Sequence, residues 1–177
     1  MPVGVDEPIE ISEYDPRWAT WYAHDAAELR GALGKRLREL EHFGSTAVTG
    51  LAAKPVIDIL VSPVEWPLAG SDQKAIEALG YEYLGEAGVA GREYFRRRTE
   101  HSTNLAVVEW GGALWNDNVV VRDYLRARPD AAARYAEAKR QAWQQGARTL
   151  LSYSSSKSSH VASLLADARQ WRGCSEP

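Results

Sequence analysis

An α+β fold is predicted from three features of the chain. Val56 to Val61 are β-branched or aliphatic apart from a lone aspartate, as in a strand buried on both faces. Residues 16–40 carry Trp18, Trp21, Tyr22, Leu29 and Leu33 as an approximate apolar stripe of helical period. The C-terminal third reads as helix, with Pro129 suited to a first turn and Tyr135, Lys139 and Trp143 four apart on one face.

The elements follow in order. Residues 8–13 alternate like a first strand. The helix over 16–40 meets Gly31 and Gly34 near its end, and 37–43 carries the chain as a strand into a Gly44-Ser45-Thr46 turn with a short helix. A strand through Asp58 comes next. Ser71 is placed to cap a helix over 71–79 that Gly80 ends. Residues 81–84, 92–98 and 104–110 read as strands. Asp117 or Asn118 is a candidate cap for a helix through Arg126, and the helix from Pro129 follows. At 177 residues, 45% hydrophobic and 25% charged, the chain suits one domain over 1–177, with 170–177 a loose tail.

Residues 41–61 hold most of the chemistry. Gly44 lets backbone approach a ligand closely, while Ser45 and Thr46 bring hydroxyls and, at a helix start, unpaired N–H groups that favour anions. A lone carboxylate in an apolar strand is costly unless paired or metal-bound, so Asp58 needs a partner. One or two carboxylates, with phosphates and waters, suffice for Mg²⁺, and Glu41 is the nearest second acid. The stretch therefore suits a nucleotide phosphate with a divalent cation. Gly-Ser-Thr also occurs in ordinary turns, and a strand aspartate can be a satisfied structural group.

Strand alternation puts Arg92, Tyr94, Arg96 and Arg98 on one face of 92–98 and Glu93, Phe95 and Arg97 on the other. Three arginines on a face suit a polyphosphate clamp, with Arg96 its preferred member, although a solvated outer face would read the same way. His101 is a candidate acid or base in a loop. Lys139 lies between two aromatic residues and is a candidate ligand contact, or else simply covers apolar surface with its stem. Seven tryptophans are explained by packing rather than base stacking.

The string from Glu41 to Val48 (Glu-His-Phe-Gly-Ser-Thr-Ala-Val), followed by Gly50 to Leu60 (Gly-Leu-Ala-Ala-Lys-Pro-Val-Ile-Asp-Ile-Leu), resembles the signature of the GrpB family. Arg122-Asp123-Tyr124-Leu125-Arg126 through Pro129 to Tyr135 and Lys139 is similar to that family's C-terminal helices, and Tyr14-Asp15-Pro16-Arg17-Trp18 to its N-terminal opening. The resemblance spans roughly residues 9–165. It implies the nucleotidyltransferase superfamily typified by DNA polymerase beta: a small mixed sheet flanked by helices, a Gly-Ser turn gripping a nucleotide and a strand acid binding metal. Tyr153 and Lys157 match a tyrosine and a lysine near the end of GrpB-like sequences, which makes Lys157 a further candidate for the nucleotide. The superfamily's second strand carboxylate is Leu60 here, as GrpB-like sequences generally lack it, and Asn104 and Ala106 stand where relatives tend to show two histidines.

A net charge of −3 provides no overall field to attract nucleic acid. Cys174 is the only cysteine, which excludes an intramolecular disulfide and fits a reducing cytoplasm, and neither a signal peptide nor a membrane span is recognisable. The expected function is an enzyme using a nucleoside triphosphate, most simply ATP, with Mg²⁺ or Mn²⁺ to transfer a nucleotidyl group to a small-molecule acceptor or to activate it. Gly44, Ser45 and Thr46 would hold phosphates and Asp58 with Glu41 the metal. Lys54 and Arg96 would offset charge on the leaving pyrophosphate. Two alternatives stand beside it: an amide-forming ligase acting through an acyl-adenylate, and a non-catalytic nucleotide or metabolite binder.

Overall fold

The computed structural model describes residues 8, 10–146, 149, 152 and 158–174. Five strands, β1 (Leu37–Phe43), β2 (Val56–Pro63), β3 (Glu82–Tyr83), β4 (Arg92–Arg98) and β5 (Ser102–Val108), form one mixed sheet in the order β1-β2-β5-β4-β3. β2 and β5 are parallel, and the other three pairings are antiparallel. The five α-helices among the described residues are α1 (Arg17–Leu33), α2 (Gly70–Ala78), α3 (Ala113–Ala127), α4 (Pro129–Gln144) and α5 (Ser158–Gly173). The architecture is α+β, as expected.

Strand alternation divides the core. Ile57, Ile59 and Val61 of β2, Leu105 and Val107 of β5 and Phe95 of β4 face one way and pack against Trp18, Ala26, Leu29 and Leu33 of α1 and Ile76 of α2. Each such side chain removed from water contributes about 1.5–3 kcal/mol. On the other face, Leu60, Ala106 and Val108 meet Trp115 of α3. A separate cluster, with Val120, Tyr124 and Leu125 of α3, Ala131 and Ala136 of α4, and Leu164 and Ala168 of α5, ties the last three helices to the segment after the Gly44 turn through Val48 and Leu51. The space between this helical cluster and the second sheet face is where the site lies. No helix among the described residues is long and apolar enough to cross a membrane.

Several expected boundaries shift for local reasons. Residues 8–13 form no strand among those described, because Ser12 closes one bridge with Ala53 and Pro8 another with Thr149 instead of a ladder. The first helix stops at Leu33, where Gly34 turns left-handed at φ 53°. α2 begins at Gly70 with Ala69 at its cap and without a side-chain cap bond, so Ser71 does not cap it. α3 likewise starts from Gly112, and Asp117 and Asn118 lie inside it. β5 starts two residues early because Ser102 pairs directly with Arg98 after a tight connection.

The expectation of a loose tail over 170–177 is corrected for its first part, because α5 continues through Gly173, and residues 175–177 lie outside the described residues. Arg169 Nη2 meets Asp117 at 2.7 Å, Arg172 Nη2 meets Asp123 at 3.4 Å, and the Trp171 ring lies 5.7 Å from that of Tyr124, so α5 is bound along α3. Cys174 follows it, exposed.

Candidate active site

A cavity of about 580 Å³ lies between the sheet and α3, α4 and α5. Gly44, Ser45, Lys54 and Asp58 line one end, with Asn104 and Ala106 of β5 in its floor. Phe43 pairs with Asp58 across β1 and β2, which brings the turn beside the carboxylate. Gly44 has φ 73°, and a Cβ built there would lie 2.8 Å from Asp58 Oδ2 and 3.3 Å from its Cβ. Glycine is thus required twice, by the backbone angle and by the close approach.

Asp58 is half-buried and oriented. Its Oδ1 accepts from Asn104 Nδ2 at 2.9 Å, and Asn104 Oδ1 accepts from Arg98 Nη2 at 2.9 Å. This relay leaves Oδ2 on the Gly44 side. Asn104 stands directly across from Asp58 in the parallel pairing of β2 and β5, so its amide is well placed to hold the carboxylate.

The turn itself is one 3-10 turn over Ser45–Ala47, whose bonds run from Ala47 N–H to Gly44 and from Val48 N–H to Ser45. The Ser45 and Thr46 amides stand outside that pattern. The Thr46 side chain is less available: its hydroxyl lies 3.0 Å from His42 Nε2, both residues are buried, and the imidazole stacks on Tyr22 at 4.5 Å. Burial pushes His42 down to about 4, so a neutral imidazole props the turn from behind.

Other candidates are placed elsewhere. Glu41 lies on the Asp58 face of the sheet but accepts from Arg122 Nη1 at 2.6 Å and does not line the cavity with Asp58. Its charge is committed to a buried arginine that also donates to the His42 carbonyl at 3.1 Å and meets Asp123. Arg96 Nε donates to Glu82 at 2.7 Å and is likewise outside the lining. β3 supplies that acid directly opposite it. Lys139 is only 2% exposed, with Nζ donating to the Ala52 carbonyl and lying 4.8 Å from the Tyr135 ring centre. Its head is a buried strut and does not reach water. Lys157 and Tyr153 fall outside the described residues. His101 stacks on Trp21 on the far side of the sheet, its Nε2 3.0 Å from Asp25 Oδ1.

Arg92, Arg96 and Arg98 share one face of β4, as strand alternation predicts, but their contacts divide. Arg98 holds Asn104, Arg96 holds Glu82, and Arg92 lines the cavity with its guanidinium 4.5 Å over the Tyr94 ring. Asn104 as the orienter of Asp58 and His42 behind Thr46 were not foreseen as site residues. The alternation of β5 was the available signal for Asn104.

The GrpB family model, described as GrpB protein, matches residues 8–167. A UPF0157 protein of Streptomyces coelicolor is 34% identical over 165 residues, covering 92% of this chain and 86% of its own. The UPF0157 protein YqkA of Bacillus subtilis is 30% identical over 168 residues, covering 93% of this chain, which spans about half, 48%, of that relative's length. The crystal structure of conserved protein GrpB from Enterococcus faecalis aligns at a TM-score of 0.82 and 30% identity, over 92% of this chain and 99% of that one.

Proposed function

Because the chain belongs to the GrpB family and its cavity sets a glycine turn against a lone strand carboxylate, we propose that it is a nucleotidyltransferase-like enzyme. It would use a nucleoside triphosphate, most simply ATP, and Mg²⁺ or Mn²⁺ to transfer a nucleotidyl group to a small-molecule acceptor or to activate it. The observation that carries this reading is Asp58 Oδ2 lying against Gly44, in one cavity with Ser45 and Lys54. Phosphate oxygens lie on the Gly44-Ser45 backbone and the Ser45 hydroxyl, and Lys54 offsets charge on the departing pyrophosphate.

The donor set fits a divalent cation only together with the nucleotide. Asp58 Oδ1 is occupied by Asn104, Glu41 is held by Arg122, and Leu60 and Ala106 offer no oxygen. One carboxylate oxygen completed by phosphates and waters is an ordinary Mg²⁺ environment, but a weak site without the nucleotide. A cation held there would supply charge neutralisation on the phosphates of the nucleotide. The same single carboxylate favours a second reading, a protein that binds a metal-nucleotide complex without turnover.

Incubation with each nucleoside triphosphate, Mg²⁺ or Mn²⁺ and a metabolite extract separates the readings. Pyrophosphate release with AMP attached to an acceptor supports transfer, and free AMP with a new amide supports the ligase. Binding without pyrophosphate release under any condition leaves the binder.

A further inference from the structure

The cavity has a second polar end, formed by an arginine that lacks a carboxylate partner. Arg92 Nη2 donates to the carbonyls of Glu86 and Ala87, each at 3.1 Å, and the guanidinium lies over Tyr94. Its Nε is buried with no hydrogen-bond partner, and among the described residues no carboxylate is bonded to it. The other charged groups of the lining are differently placed: Arg122 is held by Glu41 and Asp123, and Asp117 by Arg169. Burial lowers the pKa of Arg92 against the pull of Tyr94 and Asp58, yet a guanidinium stays charged. A half-buried cation to which, among the described residues, no carboxylate is bonded, on the wall of a cavity, is matched to an oxyanion brought by a ligand.

That oxyanion is separate from the phosphates at the Gly44 turn. Arg92 pairs with Val108, whereas Asp58 lies at the level of Asn104 and Arg96. The offset of their backbones is four residues along the strands, about 13 Å, and two strands across, about 10 Å, and the Arg92 side chain recovers part of it by reaching over Tyr94 to where it feels the charge of Asp58. Between the two ends the wall is apolar, made by Tyr94 and Ala106 on the sheet and Leu114, Val121, Leu125 and Leu164 on the helices. Ala106 presents only a methyl group to the cavity, so the floor there is carbon-lined.

We propose that Arg92 anchors the carboxylate of the acceptor, a small organic acid whose apolar body lies across Tyr94 and Ala106 and whose far end carries a hydroxyl or amine near Asp58. This assignment of substrate class rests on the nucleotidyl-transfer reading and selects transfer over acyl-adenylation, because the acid group is held away from the phosphates. The far-end oxygen or nitrogen bonds to the α-phosphorus, and the bond to pyrophosphate breaks. Pyrophosphate leaves with that electron pair, and the displaced proton passes to water.

Calorimetry with para-hydroxyphenylacetate, with tyrosol as its uncharged alcohol counterpart, and with ATP·Mg²⁺ tests the proposal on the whole chain. The acid is expected to bind without nucleotide, and tyrosol to bind about 10- to 100-fold more weakly, the loss of a hydrogen bond to a charged group. Arg92→Gln should weaken the acid by the same factor while leaving ATP·Mg²⁺ affinity unchanged, and Arg92→Lys should fall between. The comparison of acid with alcohol on the unaltered protein decides the matter even if Arg92→Gln fails to fold. Equal binding of acid and alcohol, or no binding of the acid, overturns the proposal. So does an Arg92→Gln protein that loses ATP·Mg²⁺ as much as the acid, because Arg92 then serves the nucleotide. Binding of the acid with no affinity for ATP·Mg²⁺ upholds the carboxylate subsite and removes the nucleotidyl-transfer reading instead.

Discussion

Replacing Gly44 with alanine tests the close approach on which the site depends. At φ 73° and ψ −172° Gly44 adopts a conformation essentially reserved for glycine, in which a side chain costs about 1–3 kcal/mol before any contact is counted. The new Cβ would also stand 2.8 Å from Asp58 Oδ2 and 3.3 Å from its Cβ, a separation that forces Asp58 to move. Movement strains or breaks the bond from Asn104, a charge-assisted interaction of about 1.5–3 kcal/mol. Gly50 provides the control, with φ 80° and nothing within 4 Å of a built Cβ. Gly50→Ala carries the backbone strain without the contact. Thermal melts should therefore show Gly44→Ala less stable than Gly50→Ala, by about 2–4 °C in Tm for each kcal/mol of difference. Titration with ATP·Mg²⁺ should show binding lost in Gly44→Ala and kept in Gly50→Ala. Equal melting of the two variants, together with unchanged nucleotide affinity in Gly44→Ala, would refute the reasoning.

Three further outcomes are expected. His42 falls to about 4 in the fold from an ordinary value of 6.5, so between those values the unfolded chain binds more protons and stability rises with pH, by up to about 3 kcal/mol in all; denaturant midpoints across that window should show the rise, and His42→Gln should flatten it. Lys139→Met should lose about 1–3 kcal/mol by orphaning the buried Ala52 carbonyl while leaving nucleotide affinity intact, and a loss of affinity without destabilisation would return Lys139 to the ligand. Asp25 is fully buried; burial alone pushes its carboxyl up, but bonds from Thr103 and His24 and the charges of Arg97 and His101 outweigh that and hold it below the usual range. Its contribution is therefore complete above a pH of about 4 and lost on further acidification, and Asp25→Asn should cost about 1.5–3 kcal/mol at neutral pH by removing the buried anion that Arg97 Nη2 meets, while Arg97 Nη1 keeps Glu28.

The parts of the site that were legible in the sequence are those that local structure brings together. Gly44 and Asp58 occupy the ends of adjacent antiparallel strands, so a turn glycine and an interrupting aspartate were enough to place both in one pocket. The alternation of 92–98 likewise put the arginines on the correct face. What alternation does not contain is which acid each arginine meets. Glu41 is taken by Arg122, 81 residues away, and Lys139 by the Ala52 carbonyl, 87 residues away. Both pairings depend on how α3 and α4 settle against the sheet. Arg92 rather than Arg96 reaches the cavity because the short β3 places Glu82 opposite Arg96. The end of the C-terminal helix, past residue 169, reads as a tail in the sequence because its partners, Asp117, Asp123 and Tyr124, lie on α3 about fifty residues back.

The account stands most directly on the affinity of this chain for ATP measured by calorimetry with and without Mg²⁺, in the native sequence and in Asp58→Asn. Binding that requires the cation, and that disappears in a variant melting like the parent, is the predicted result. Cation-independent binding, or an Asp58→Asn protein that binds ATP·Mg²⁺ as the native chain does, would contradict it.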